Sequence, residues 1–344
     1  MIFTSWRPIA GAAAGTLRRM HTRREQLTKT ALLLGLIALL AGCGGGRGND
    51  TAGTTTAATG AGENLSGRIE ADGSSTVGPF TTAAAERFGA VEPDVQVTVG
   101  VSGTGGGFER FCRGETDISN ASRPIKDEEV TACKDGAIEY VEFQVANDAL
   151  TVVVNKDNDW VTCLTIEQLG AIWGPDSKVK NWNEVDPSFP DEALSLFGPG
   201  TDSGTFDYFT DEVNGEEGAS RSDFSASEDD NNTVTGVSGE KGGLGYFGFS
   251  YYEENQDTLR AVEIDGGDDC VAPSVENAQN GTYKPLARPL FIYAKREALA
   301  RPEVEGFMRY VLDNGIEVAE ASQFVPLTDE QLTKAQADLE GALG

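Results

Sequence analysis

Histidine is almost missing from this chain: there is one, His21, among 344 residues. It falls in the stretch 1–42, basic and then apolar, which reads as a removable leader, so the mature protein is expected to hold none. That excludes Ser-His-Asp and Cys-His catalysis and most catalytic zinc sites. Asp202-Ser203-Gly204 resembles the nucleophile segment of chymotrypsin-like proteases, but no imidazole is left to activate it. No G-x-x-x-x-G-K-[ST] follows a strand-like run, which excludes a nucleotide P-loop. Gly243-Leu244-Gly245-Tyr246-Phe247-Gly248 has G-x-G-x-x-G spacing, yet Leu244 to Tyr252 reads as one aromatic strand with no helix behind it, against a dinucleotide site. Five cysteines show no C-x-x-C spacing, and neither a metal nor a cofactor is expected. Carboxylate pairs are too common in so acidic a chain to indicate a glycosidase. Basic residues are scarce as well, 27 Lys and Arg against 55 Asp and Glu, a formal charge of −28.

Six of the 27 basic residues fall within the first 42 positions. Arg18, Arg19, Arg23, Arg24 and Lys29 precede the apolar run 31–42, which is too short to cross a bilayer comfortably. That run ends at Leu40-Ala41-Gly42-Cys43, similar to a bacterial lipobox, so Cys43 is expected to become the lipidated first residue of an exported protein anchored to the outer face of the cell membrane. Thr22-Arg23-Arg24-Glu25-Gln26-Leu27 also resembles a twin-arginine signal, and export by either route stays open. Without the leader's six basic residues and one acidic residue the chain keeps 21 basic and 54 acidic side chains, a formal charge of −33. Such a surface excludes nucleic acid, which needs many Lys and Arg for its phosphates. It does not exclude a small anion in a cleft, because charges are screened beyond about 8 Å at physiological salt while donors lie about 2.8 Å away. Cys112, Cys133, Cys163 and Cys270 then allow three pairings; Cys112 with Cys133 and Cys163 with Cys270 are favoured, since each would stay within one domain.

What is abundant is glycine beside small hydroxyl residues. Gly73-Ser74-Ser75-Thr76, Ser102-Gly103-Thr104-Gly105-Gly106-Gly107 and Gly200-Thr201-Asp202-Ser203-Gly204-Thr205 each follow a strand-like run and lead into a helix-like run with an early aromatic. The first turn of a helix carries N–H groups without partners and a partial positive charge, and glycine lets an oxyanion come close. Serine and threonine hydroxyls add rotatable donors. Any one of these loops also reads as an ordinary capped helix start. Three of them, none with a nucleotide-binding lysine, point to one shared small anion.

Along the chain, residues 43–64 are a flexible tether of Gly, Thr, Ala and Asn. Strands are expected at Arg68 to Ala71, Val95 to Val99, Val141 to Val145, Leu150 to Asn155, Leu194 to Phe197 and Pro289 to Tyr293. Helices are expected at Thr81 to Phe88 behind Pro79, from Phe108, and at Ile166 to Trp173, Glu303 to Leu312 and Ile316 to Ala321, with a last one capped at Leu327 to Glu330. Trp182 to Val185 reads as irregular and Glu228 to Asn232 as a turn or cap. The chain crosses between domains near 147 and returns near 289. The alternation implies α/β architecture with largely parallel sheets, where ligands collect at the carboxyl ends of strands.

Four motifs, Ala71 to Val77, Ser102 to Phe108, Asp117 to Ile125 (with Ser122-Arg123-Pro124) and Gly198 to Phe206, together resemble the phosphate-binding proteins (PstS) of bacterial phosphate ABC transporters, and most closely their SphX branch. The resemblance covers most of 65–325. It implies a two-lobed type II periplasmic-binding-protein fold, each lobe a mixed, mainly parallel sheet flanked by helices, with a hinged cleft. Lobe I is expected at 65–147 plus 289–344 and lobe II at 148–288. The implied activity is capture of one inorganic phosphate and its delivery to membrane permease subunits by a monomer that is not an enzyme. Ser75, Thr76, Thr104 and Ser122 are implied ligands from lobe I, and Ser203, Gly204 and Thr205 from a helix N-terminus of lobe II. Two departures stand out: Ser122 replaces a carboxylate that accepts the phosphate proton in many members, and Pro199 replaces an arginine before the Ser-Gly-Thr turn. Arg123 either supplies that cation or pairs with a surface carboxylate; Asp202 either accepts the proton or caps its helix. Two other readings remain: a binding protein for another oxyanion such as sulfate, and an extracellular phosphatase-like enzyme.

Overall fold

The computed structural model describes residues 64–201 and 203–344; the expectations for the leader, Cys43, most of the tether and Asp202 lie outside them. Ser66–Gly73 (β1) turns Ile69 and Ala71 inward. Gly78–Val91 (α1) follows with Pro79 in its first turn, where no N–H is needed. Asp94–Val99 (β2), Gly103–Cys112 (α2), Ile118–Ala121 (β3) and Asp127–Asp135 (α3) complete the first run. Helix α2 begins at Gly103, earlier than its first aromatic suggests, so the glycine run is helical. The reason is contact: a Cβ on Gly107 would lie 2.4 Å from the Cα of Gly73, and only glycine lets α2 lie on the end of β1.

Tyr140–Asn155 (β4) is one 16-residue strand, not the two expected. The polar Asn147-Asp148 pair breaks the apolar pattern in the sequence, but the ladder continues because the returning Ala287–Lys295 (β12) pairs antiparallel with it from Tyr140 to Ala149, with a register shift at Leu290/Phe291. Beyond the crossing come Cys163–Thr165 (β5), Ile166–Trp173 (α4), Trp182–Val185 (α5), Ser195–Gly198 (β6), Gly204–Asn214 (α6), Ser225–Ala226 (β7) and Asp230–Gly239 (α7). Then follow Gly243–Gly248 (β8), Phe249–Glu254 (α8), Leu259–Ala261 (β9), Glu263–Asp265 (β10), Cys270–Val271 (β11) and Val275–Gln279 (α9). After β12 the chain closes with Arg296–Leu299 (α10), Pro302–Asp313 (α11), Gly315–Ala321 (α12) and Asp329–Leu343 (α13), the last capped by Thr328 and Gln331.

Two further expectations are corrected. Trp182–Val185 is helical rather than irregular, because Asn181 and Glu184 form a capping box around it. The aromatic run 244–252 divides at Gly248 into β8 and α8, so a helix does follow the G-x-G-x-x-G; its glycines nevertheless lie in the strand itself, paired with β4 and β6, and make no phosphate-binding turn.

The main sheet has the order β2-β1-β3-β12-β4-β8-β6-β7, with β9 also on β4, and β11-β10-β5 forms a small second sheet. Strand β1 is parallel to β2 and β3, and β6 to β7 and β8, whereas β4 and β12 run antiparallel to their neighbours. The two largest apolar clusters lie apart along this sheet. Phe80, Phe88, Phe143, Leu290 and Phe307 belong to one; Leu150, Trp173, Trp182, Phe209 and Tyr246 to the other. Strand β4 feeds Val145 to the first and Val152 to the second, so Asn147 and Asp148 sit where the chain passes between them. Cys112–Cys133 bridges α2 to α3, and Cys163–Cys270 bridges β5 to β11, the favoured pairing.

Candidate functional site

Each strand of the first run ends in a loop of small residues, and the parallel order β2-β1-β3 brings those carboxyl ends side by side. The β1–α1 loop is fixed from below: Ser74 N–H donates to Asn120 C=O at 2.9 Å, and Gly73 N–H to the buried Asp72 carboxylate at 2.7 Å, itself paired with Arg110. Ser75, Thr76, Ser102, Thr104 and Ser122 thereby border one cavity of about 570 Å³, whose opposite wall is Gly204, Asp207, Tyr208, Asp211 and Glu212 of α6. Helix α2 has no side-chain cap on its first turn, and Gly103, Thr104, Gly105 and Gly106 of that turn border the cavity. The start of α1 is already spent: Gly78 N–H donates to Ser74 C=O, Thr81 N–H to Val77 C=O, and Pro79 has no N–H.

The hydroxyls are set as donors. Ser122 N–H donates to Thr104 Oγ1 at 3.2 Å, and the two hydroxyls lie 3.1 Å apart, so whichever donates to its neighbour, the other keeps a proton to give. Thr76 Oγ1 accepts from Arg288 Nη2 at 2.8 Å, which likewise leaves its own proton free. Gly204 closes the ring: a Cβ there would meet Thr76 Oγ1 at 2.9 Å and Thr76 N at 3.1 Å, so α6 and the β1–α1 loop are already in contact.

Charges around the cavity are unequal. Arg123 donates through Nη1 and Nη2 to the two oxygens of Glu129 at 2.8 and 2.7 Å, over the Phe108 ring. It thus borders the cavity with its guanidinium committed to a carboxylate. Burial works against the Glu129 charge, but the Arg123 hydrogen bonds and the Lys126 N–H outweigh it and hold the carboxyl below its ordinary range. Arg288 opens β12 directly opposite Asp148 in the ladder. Its Nε donates to Asp148 at 3.3 Å, and its guanidinium carbon lies 3.5 Å above the centre of the Tyr208 ring. Burial pushes the Asp148 carboxyl up, against the pull of Arg288. Glu212 is raised too, first by burial and then by its neighbour Asp211.

A family description for the PBP superfamily domain matches residues 50–314. Protein SphX of Synechococcus elongatus is 51% identical over 270 residues, 78% of this chain and 80% of its own. Phosphate-binding protein PstS of Staphylococcus saprophyticus is 41% identical over 313 residues, 90% of this chain and 93% of its own. The chain belongs to the SphX and PstS family. A crystal structure from Planctomyces limnophilus, described as a possible phosphate binding protein, matches with a TM-score of 0.78 at 46% identity, over 81% of this chain and 100% of that one. The type II periplasmic-binding-protein fold, a mixed α/β sheet flanked by helices, is therefore the fold of this chain.

Of the residues expected at the site of a SphX and PstS protein, Ser75, Thr76, Thr104, Ser122, Arg123 and Gly204 border the cavity. Ser203 and Thr205 are engaged with each other instead, the Ser203 hydroxyl accepting from Thr205 N–H at 3.2 Å as the cap of α6, and neither lines the cavity among the described residues. Asp202 lies outside those residues. Sequence reasoning missed Arg288, Tyr208 and Glu212. The one usable signal was Arg288 immediately before the Pro289 strand, facing Asp148 on the outgoing one, and only the strand register reveals it.

Proposed function

We propose that this chain is an extracytoplasmic solute-binding protein that captures inorganic phosphate between lobe I (65–147 plus 289–344) and lobe II (148–288) and hands it to the permease of an ABC transporter. The observation that carries this reading is the meeting of the uncapped first turn of α2 with the β1–α1 loop and the hydroxyls of Thr76, Thr104 and Ser122 in one cavity that Gly204 covers from the other lobe. Charge-assisted hydrogen bonds contribute about 1.5–3 kcal/mol each. Five or six of them, less the free energy of closing the lobes, reach the roughly −8 kcal/mol of a micromolar binder. Ser75, Thr76, Thr104, Ser122 and Gly204 act as ligands, with Ser203 and Thr205 shaping the α6 end. The lipidated Cys43 and the tether hold the protein, as a monomer, at the outer face of the cell membrane within reach of the permease.

Asp207, Asp211 and Glu212 on the α6 wall favour phosphate over sulfate. Hydrogen phosphate carries a proton that a carboxylate accepts; sulfate carries none at neutral pH and meets only repulsion. Titration calorimetry on phosphate-stripped protein with phosphate, arsenate and sulfate at pH 6 and 8 tests this. Micromolar or tighter phosphate binding is expected, with sulfate at least about 100-fold weaker, a difference of about 2.7 kcal/mol. Equal affinity for sulfate would replace phosphate with a general oxyanion as the ligand. The absence of histidine beyond residue 42 leaves no general base of that type, so no turnover of a chromogenic phosphate ester is expected.

A further inference from the structure

Among the described residues, Arg288 is placed unlike any other cation. It stands on the return strand β12, at the point where β12 and β4 pass between the two cores, and its ladder partner is Asp148. Three contacts hold it: Nε donates to Asp148 at 3.3 Å, Nη2 to Thr76 Oγ1 at 2.8 Å, and the face of the guanidinium covers Tyr208. Tyr208 is held in turn by its O–H, which donates to Pro285 C=O. Thr76 belongs to the loop between β1 and α1, over one core, and Tyr208 to α6, over the other.

A structural ion pair would satisfy the guanidinium, as Glu129 does for Arg123 by accepting from both terminal nitrogens. Asp148 takes only Nε, and among the described residues Nη1 has no hydrogen-bond partner. The side chain is 16% exposed and borders the cavity. Donors left over on a nearly buried cation are arranged for an acceptor that arrives from outside the protein.

We propose that Arg288 is the cation of the anion site and the element that couples anion capture to closure of the lobes. An anion that accepts from Nη1 holds the guanidinium in place; in place, the guanidinium touches Thr76 and Tyr208 together, and those two meet only when the lobes are closed. Arg288 thus stands in for the arginine that Pro199 lacks, reaching the site from the hinge instead of from the α6 loop. This rests on the reading of the cavity as a phosphate site.

The test uses the full chain, stripped of phosphate, as wild type, Arg288→Lys and Arg288→Ala. Each is titrated calorimetrically with inorganic phosphate and measured by small-angle X-ray scattering with and without it; thermal unfolding checks the fold. Wild type is expected to bind and to become more compact. Arg288→Ala should bind about 100-fold more weakly, the upper range for losing a hydrogen-bonded charge. Arg288→Lys should bind about 10-fold more weakly, because a point charge cannot serve Asp148, the ring and an anion together. Neither variant should compact at phosphate concentrations that saturate wild type. If wild type binds phosphate and both variants stay within threefold of it, Arg288 is not the cation and the phosphate reading survives. If a variant binds weakly but compacts fully once saturated, the coupling is wrong. If wild type itself does not bind phosphate, the functional reading fails and takes this proposal with it. Should Arg288→Ala fail to fold, Arg288→Lys, which keeps the stem and charge, decides.

Discussion

Arg123 and Arg288 border the same cavity, each with a partner carboxylate, and they teach opposite lessons. Arg123 lies in a motif and looks functional in the sequence, but six residues on it finds Glu129, which takes both terminal nitrogens. Arg288 lies in no motif and shares itself among an aspartate, a threonine and a tyrosine ring from three parts of the chain. The carboxylates differ too: Glu129 is held below its ordinary range and Asp148 is raised above it, because burial of Asp148 outweighs both Arg288 and the Ala149 N–H. A cation near an anion site counts only through the donors it still has to offer.

The sharpest way to break this comparison is to keep Arg288 from reaching Thr76 in a closed cleft. Gly204→Val drives a branched side chain into Thr76 and should weaken phosphate about 100-fold, some 2.7 kcal/mol by calorimetry, with the thermal midpoint little changed. Wild-type affinity in that variant would mean the closed contact is irrelevant to binding. Asp148→Ala strands a nearly buried arginine and should lower unfolding free energy by about 3 kcal/mol in a urea titration. Glu129→Ala removes a partly buried pair and the capping-box acceptor of α3, for about 1–2 kcal/mol, while phosphate affinity stays within about threefold. A large loss of affinity there would return Arg123 to the binding machinery.

The smallest effect is a difference of sign with pH. Glu129 has a lowered folded pKa, so its contribution is present above the ordinary value of 4.5 and is lost as pH falls through the folded one. Asp148 has a raised folded pKa, so its contribution is present below the ordinary value of 3.8 and is lost as pH rises through the folded one. Stability measured across the acid range should therefore lose part of its rise with pH in Glu129→Gln and rise more steeply in Asp148→Asn. Parallel curves would erase the distinction between the two pairs.

Much of the fold was legible because its signals are local. Strand β2 is read from alternation, α4 from its amphipathic pattern, and α1 from Pro79. The breaks in legibility fall where a distant partner overrides the local pattern. Strand β4 continues through Asn147 and Asp148 because β12 and Val325 supply hydrogen bonds there. The helical glycines of α2 make sense only against Gly73. At the site, the small-residue loops were readable and their neighbours were not: Arg288 and Thr76 are 212 residues apart, and Arg288 and Asp148 140.

By itself the amino-acid sequence determined the α/β class, the loops of glycine and hydroxyl residues, and a strongly acidic composition, because these depend on composition and on contacts within a few residues. Only the tertiary structure decided which cation is left to face an anion and which is already spent on a neighbour. That depends on strand register, on burial and on which donors remain unpaired, and none of these is a property of any short stretch of chain.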